Sequence, residues 1–166
     1  METKRNVSPL EVKARELLKE RGVELKDIAE LVFYLQSAYH KDLDLEECLY
    51  NVNRVIEKRE VQNAILTGIQ LDMLAEKEML DEPLQATIAS DEGLYGIDEI
   101  IAFSIVNVYG SIGFTNYGFI DKQKPGILAH LNDRSTGEVH TFLDDIVGAI
   151  AAAASSRLAH AAEDAE

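Results

Sequence analysis

The sequence predicts an all-α fold: a single-domain bundle of about six to seven helices with a buried central helix. Three observations predict it. Apolar residues recur at helical spacing through most of the chain. Where those patterns begin, a serine, threonine or aspartate is repeatedly followed three residues later by an acid, the signature of a helix start. No stretch alternates polar and apolar residues for long, and no hairpin dipeptide or internal repeat occurs. No linker divides residues 1–166, so they read as one domain.

In chain order, Ser8-Pro9-Leu10-Glu11 opens a helix that runs to about Glu20 and ends before Gly22. Ile28, Leu31, Val32 and Leu35 form one face of a second helix, expected over Leu25–Tyr39. Asp44 to Glu47 opens a third, with Cys48, Leu49, Val52, Val55 and Ile56 on one side. A charged node at Lys58-Arg59-Glu60 precedes a fourth, expected from Val61 to Leu80. Asn63, Thr67 and Gln70 form its polar stripe, read first as a solvent face and second as support for carboxylates inside the bundle. Pro83–Ala89 is a short helix, and Ser90–Gly93 a break. Leu94–Tyr109 is apolar almost all round, which marks it as the buried central helix. Glycines 110, 113 and 118 predict a flexible segment around Ser111–Tyr117, followed by short helices at Tyr117–Gln123 and Pro125–Leu131. Thr141-Phe142-Leu143-Asp144 reads as a capping box that starts a final alanine-rich helix reaching about His160, with Ala161–Glu166 fraying.

Composition excludes several functions. Hydrophobic residues make up 46% and charged residues 28%, which is ordinary for a globular chain. The formal net charge of −14 excludes nucleic acid and anionic bilayers as partners held by general attraction. A phosphorylated partner needs local lysines or divalent cations. The lone cysteine, Cys48, permits no internal disulfide, which suits a reducing cytoplasm, and it falls in an apolar pattern. Met1–Val7 lacks the apolar core of a signal peptide, and neither Ile100–Phe119 nor Ile146–Ser155 is a membrane span. The Ala/Gly-rich final helix and the apolar Ile100–Val108 stretch suggest close helix contacts, with a homodimer as the expected assembly.

The chemistry concentrates between Asp121 and Asp145, a stretch with four aspartates, two lysines, an arginine and two histidines. Three acidic groups adjoin apolar sequence: Asp98-Glu99, Asp121 with Asp133, and Asp144-Asp145. Neighbours on a helix point about 100° apart, so one member of each pair is free to face inward. Carboxylate oxygens are hard ligands that suit Mg²⁺. Lys124, or Lys122, offers a point charge to a phosphate. Each residue also has a plainer reading. Asp144 suits a helix cap, Asp98 and Glu99 suit a helix dipole, and Asp121 suits a surface pair with Lys124. His130 and His140 suit loops, and Arg134 suits a local ion pair.

Taken together these motifs resemble the bacterial phosphatidylglycerophosphatase A family. The resemblance rests on Asp98-Glu99, on Ile120-Asp121-x-x-Lys124-Pro125-x-Ile127, on Asp133 with Gly137, and on Leu143-Asp144-Asp145-Ile146-Val147 followed by Gly148-Ala149. It covers residues 97–154 and leaves the N-terminal helices of residues 1–58 outside. Thr67-Gly68 is all that corresponds to the family's N-terminal glycine segment, and Thr136–His140 stands where the family has G-G-x-G. The family's members span the membrane several times, so this chain resembles a soluble branch. The resemblance implies a Mg²⁺-dependent phosphatase that removes the terminal phosphate of phosphatidylglycerophosphate or of a related soluble ester. It implies Asp98, Glu99, Asp121, Asp144 and Asp145 as metal ligands, Lys124 as the phosphate's partner, and Asp133 or Asp145 as the group that orients or deprotonates water. The expected location is the cytoplasm, with peripheral contact at the inner face of the membrane and a lipid headgroup or small phosphate ester as partner. Two other functions fit an acidic helical bundle. One is an all-α nucleotide pyrophosphohydrolase, whose E-x-x-E signature is not clear here; the other is a helical binding or dimerisation module with a degenerate site.

Overall fold

A computed structural model describes residues 5–164, so Met1–Lys4 of the N-terminal stretch and Ala165–Glu166 of the expected fraying end lie outside it. Among the described residues there are nine α-helices and no strand. They are α1 (Pro9–Glu20), α2 (Leu25–Gln36), α3 (Leu45–Ile56), α4 (Arg59–Glu76), α5 (Leu84–Ala89), α6 (Ile97–Val106), α7 (Ser111–Gln123), α8 (Ile127–Leu131) and α9 (Leu143–Glu163). The all-α bundle is as expected. The excess over six to seven lies in α5 and α8, which span only 6 and 5 residues.

The caps show why the early helices begin where they do. Ser8 Oγ accepts from Glu11 N at 3.2 Å and Asp44 Oδ1 accepts from Glu47 N at 2.8 Å. Each satisfies a backbone donor that a first helical turn leaves unpaired. In α4, Asn63, Thr67 and Gln70 face solvent, so the polar stripe is an outer face.

The central helix is α9, not the Leu94–Tyr109 stretch. Every residue from Thr141 to Ser156 is buried, and α9 packs on α2, α3, α4, α6, α7 and α8. The reason is side-chain size. Gly148 and Ala151–Ala154 let neighbouring backbones close in from all sides, whereas isoleucines hold neighbours further away. Helix α6 buries only one side, through Asp98, Ala102, Ile105 and Val106, and leaves Ile100 59% exposed. The small residues of α9 are thus used within the chain rather than at its surface.

The glycines near α7 also act through size. Ser111–Tyr117 is helical, and a Cβ on Gly113 would lie 2.8 Å from Val106 Cγ1 and 3.1 Å from Ser156 Oγ. Gly113 therefore brings α7 close to α9 instead of loosening the chain. Gly68 does the same for α4: a Cβ there would lie 2.4 Å from Ile146 Cδ1 and 2.9 Å from Phe142 Cβ.

The start of α9 is capped from another helix. Thr141 Oγ donates to Ile88 O at 2.6 Å, so it is not the cap. Asp72 of α4, fully buried, accepts from Phe142 N at 3.0 and 3.2 Å and from Leu143 N at 3.0 Å. Burial first, opposed by these amide donors, pushes the Asp72 carboxyl well above the usual carboxylate range. This cross-bundle cap fixes where α9 begins, and so where Asp144 and Asp145 sit.

Candidate active site

Three helices bring their acids to one cleft of about 210 Å³. Asp98 and Glu99 come from the first turn of α6, Asp121 from the last turn of α7, and Asp144 and Asp145 from the first turn of α9. Seven acidic side chains line the cleft against two basic ones, Lys124 and Arg134, so it is built to hold positive charge. Asp98, Asp144 and Asp145 are buried, Asp121 is half-buried, and Glu99 is exposed at the edge.

Lys124 reaches this cluster because of its backbone. It ends α7 with φ 45° and ψ 53°, a left-handed conformation that non-glycine residues rarely adopt. Its Nζ donates to Asp121 Oδ1 at 2.9 Å and to Asp144 Oδ2 at 3.4 Å. Burial works against its charge, but the Asp121 hydrogen bond and the Asp144 and Asp121 charges outweigh it and raise its pKa. The surface pair of Asp121 with Lys124 is real, yet it also extends inward to Asp144.

The two aspartates of α9 are not free carboxylates. Burial, then the charge of Asp91, pushes Asp144 up to about 7 against the pull of Lys124. Burial, then the charge of Asp144 and a hydrogen bond with Asp98, pushes Asp145 up to about 10. Asp144 Oδ1 also accepts from Asp145 N at 2.8 Å. A desolvated group of carboxyls stays partly protonated unless a strong positive charge enters.

Among the described residues no three acidic, histidine or cysteine side chains form a ready metal-ligand set. Asp121 and Asp144 are turned to Lys124. The donor chemistry itself fits a hard divalent cation, because Asp98, Asp121, Asp144 and Asp145 offer carboxylate oxygens whose charge only one ammonium offsets at close range.

Asp133 is not among the converging residues. It is exposed, its Oδ1 accepts from Ser135 N at 2.9 Å, and this bonding holds its carboxyl below the usual range. It borders a neighbouring cleft of about 290 Å³ instead. The two clefts share Asp91, Asn132, Arg134 and Asp144. Arg134 leans on Ser90 O at 3.2 Å and Asp91 Oδ2 at 3.3 Å, closing the wall between them. On the far side, Arg21 Nη1 donates to Glu76 Oε2 at 2.7 Å and Arg21 Nη2 to Val139 O at 3.0 Å. His140 sits there beside Glu138, its pKa lowered first by burial.

Sequence reasoning missed Asp72 and Asp91 as parts of this region, whereas Arg134, read as suited to a local ion pair, does pair with Asp91. Asp72 carried a signal: it continues the buried stripe Ile65, Gly68, Ile69, where an acid needs a partner. Asp91 carried none, since it meets Arg134 only through the tertiary fold.

No helix among the described residues is long and apolar enough to cross a membrane. The family model for phosphatidylglycerophosphatase A matches residues 18–160, which takes in α2 and α3 as well as the motif-bearing residues 97–154. The chain is 71% identical over 159 residues to the uncharacterized protein YutG of Bacillus subtilis, with 96% of each chain covered. The crystal structure of low temperature requirement C protein from Listeria monocytogenes superposes with a TM-score of 0.95 at 68% identity, covering 96% of this chain and 100% of that one. A protein of unknown function from Bacillus stearothermophilus superposes with a TM-score of 0.92 at 73% identity, covering 98% and 99%. With the family model spanning most of its length and close relatives matched from end to end, the chain belongs to the phosphatidylglycerophosphatase A family.

Proposed function

We propose that the acidic cleft hydrolyses a phosphate monoester with the help of a divalent cation, Mg²⁺, and that the substrate is phosphatidylglycerophosphate or a related ester. One observation carries the reading: Asp98, Asp121, Asp144 and Asp145, from three helices, meet Lys124 in a single cleft. Family membership supports the phosphatase class.

Asp98, Asp121, Asp144 and Asp145 would hold the cation, with Glu99 at the rim. When bound, magnesium supplies positive charge that neutralises the phosphate and favours ionised carboxylates around it. Lys124 turns its ammonium to a phosphoryl oxygen and stabilises the charge that builds there. Asp121 and Asp144 keep that ammonium aimed into the cleft. Asp145, once ionised, would orient the attacking water with the oxygen the cation leaves free, whereas the exposed Asp133 stands outside this cleft. Asp72 holds the first turn of α9, and with it both aspartates, in register.

The test is phosphate release by purified protein from phosphatidylglycerophosphate in detergent micelles and from a panel of soluble esters and nucleoside triphosphates, with magnesium or with EDTA. Activity should require magnesium, and Asp144→Asn and Asp145→Asn should each lose about 100-fold or more. Full activity in either variant refutes the mechanism. Pyrophosphate as the only product, from nucleoside triphosphates, refutes the substrate class.

A further inference from the structure

Lys124 and Arg134, the two basic side chains that line the acidic cleft, are held differently. Lys124 is 29% exposed, and the Asp121 and Asp144 carboxylates share its ammonium. Arg134 stands on the short turn after Asp133, and its side chain is 69% exposed. It has one acidic partner, Asp91 Oδ2 at 3.3 Å, and one further bond, to Ser90 O at 3.2 Å. A guanidinium carries five N–H donors in a planar fork, so these two bonds leave three unspent. The plainer reading is a clamp that ties the turn to Ser90 and Asp91, yet an exposed ion pair of this length contributes little.

The position of Arg134 favours a second role. It borders both the acidic cleft and the neighbouring cleft of about 290 Å³. Its partner Asp91 is half-buried among the cluster and feels the charges of Asp98 and Lys124 as well as that of Arg134. A phosphoryl group in the acidic cleft brings several oxygens, and Lys124 is a point charge already shared by two carboxylates. A planar fork matches two phosphate oxygens at once, which an ammonium does not. We propose that Arg134 is a phosphate-binding residue: its unspent donors grip two phosphoryl oxygens at the border of the two clefts, while the less exposed Lys124 meets another. This rests on the reading that the cleft takes a phosphate ester. Asp91 then opposes binding, since it competes for the same guanidinium and repels an anion. The two partners of one ion pair thus act on phosphate in opposite directions.

The experiment titrates the full chain with inorganic phosphate in excess magnesium chloride and compares Arg134→Gln, Arg134→Lys and Asp91→Asn. Asparagine tolerates the φ of 51° at position 91. Arg134→Gln should weaken phosphate binding about tenfold or more, the loss of charge-assisted hydrogen bonds. Arg134→Lys keeps the charge without the fork and should recover only part of it. Asp91→Asn should leave the affinity unchanged or raise it. A clamp would make the Arg134→Gln and Asp91→Asn losses equal, because both break the same ion pair. Equal losses overturn the proposal, as does an unchanged affinity in Arg134→Gln or a parent that binds no phosphate. Weaker binding in Asp91→Asn overturns it too, a result that does not depend on Arg134→Gln folding. If the affinities follow the expected order and no phosphate ester is cleaved, Arg134 keeps its role and the hydrolase reading falls. If esters are cleaved and Arg134→Gln keeps the parent's phosphate affinity and rate, Arg134 loses its role and the hydrolase reading stands.

Discussion

Replacing Asp145 with asparagine is expected to stabilise the protein in EDTA while lowering phosphate release by about 100-fold or more. Burial, the Asp144 charge and the Asp98 hydrogen bond push the Asp145 carboxyl up to about 10. In an unfolded chain an aspartate titrates at about 4. The sign follows directly. A folded value above the unfolded one means that the folded state holds the proton more tightly. The stability this confers is full below about pH 4 and declines as pH rises toward the folded value. One pKa unit is worth about 1.4 kcal/mol, so from about pH 4 to pH 7 the loss would reach on the order of 4 kcal/mol if Asp145 bore it alone. Asp144 answers to the same field, so roughly half, about 2 kcal/mol, belongs to Asp145. Asparagine keeps the shape, cannot ionise and still offers hydrogen bonds to Asp98. The assay is thermal unfolding in EDTA at several pH values. The variant should melt about 4–8 °C above the parent near pH 7, with the gap closing near pH 4. A variant that melts below the parent by the same margin at every pH would show that the carboxyl group is not under this electrostatic load.

Further outcomes follow from the same geometry. Gly68→Ala should cost about 1–3 kcal/mol in urea unfolding, because the new methyl would meet Ile146 Cδ1 at 2.4 Å and Phe142 Cβ at 2.9 Å. Asp72→Ala leaves the Phe142 and Leu143 amides buried without an acceptor and should cost about 2–4 kcal/mol, whereas Asp72→Asn, which keeps one acceptor oxygen, should cost less. Lys124→Met should lower kcat for phosphate release by about 100-fold or more, measured against the same substrates. Magnesium binding should release protons into a weakly buffered solution near neutral pH, because Asp144 and Asp145 are pushed up and must ionise to hold the cation. Its affinity should therefore rise with pH, and an affinity flat across that range would count against carboxylate ligation.

The helical class was legible because its signals are local. Ser8 and Asp44 cap their own helices, and each needs only the next three residues to be recognised. The choice of central helix was not legible from hydropathy. Leu94–Tyr109 is the more apolar stretch, but centrality is decided by how closely neighbours approach, and that favours the alanines of α9. The same error of scale made Gly113 look flexible when it is pressed between Val106 and Ser156. The acidic cluster was legible because carboxylates flanked by apolar residues need compensation wherever they occur. The place of Asp133 was not, because it lies in a loop whose direction no periodicity determines.

The position of the cluster at the start of α9 has its own logic. A helix N-terminus carries partial positive charge, which favours nearby carboxylates. Here the first amides of α9 are already taken by Asp72, whose buried carboxyl lies against them. That leaves less of the helix's positive end to offset Asp144 and Asp145 in the same turn, and Lys124 supplies only one further charge. The remaining imbalance favours the protonated form of Asp145, whose carboxyl burial and the Asp144 charge push up. A fold seeking stability alone would place leucine or alanine at these positions, as α9 does for the two turns that follow. Keeping two acids in the first turn of α9, with a lysine held in a left-handed turn to face them, costs stability. Under the proposed function, a bound cation and phosphate ester would offset that cost.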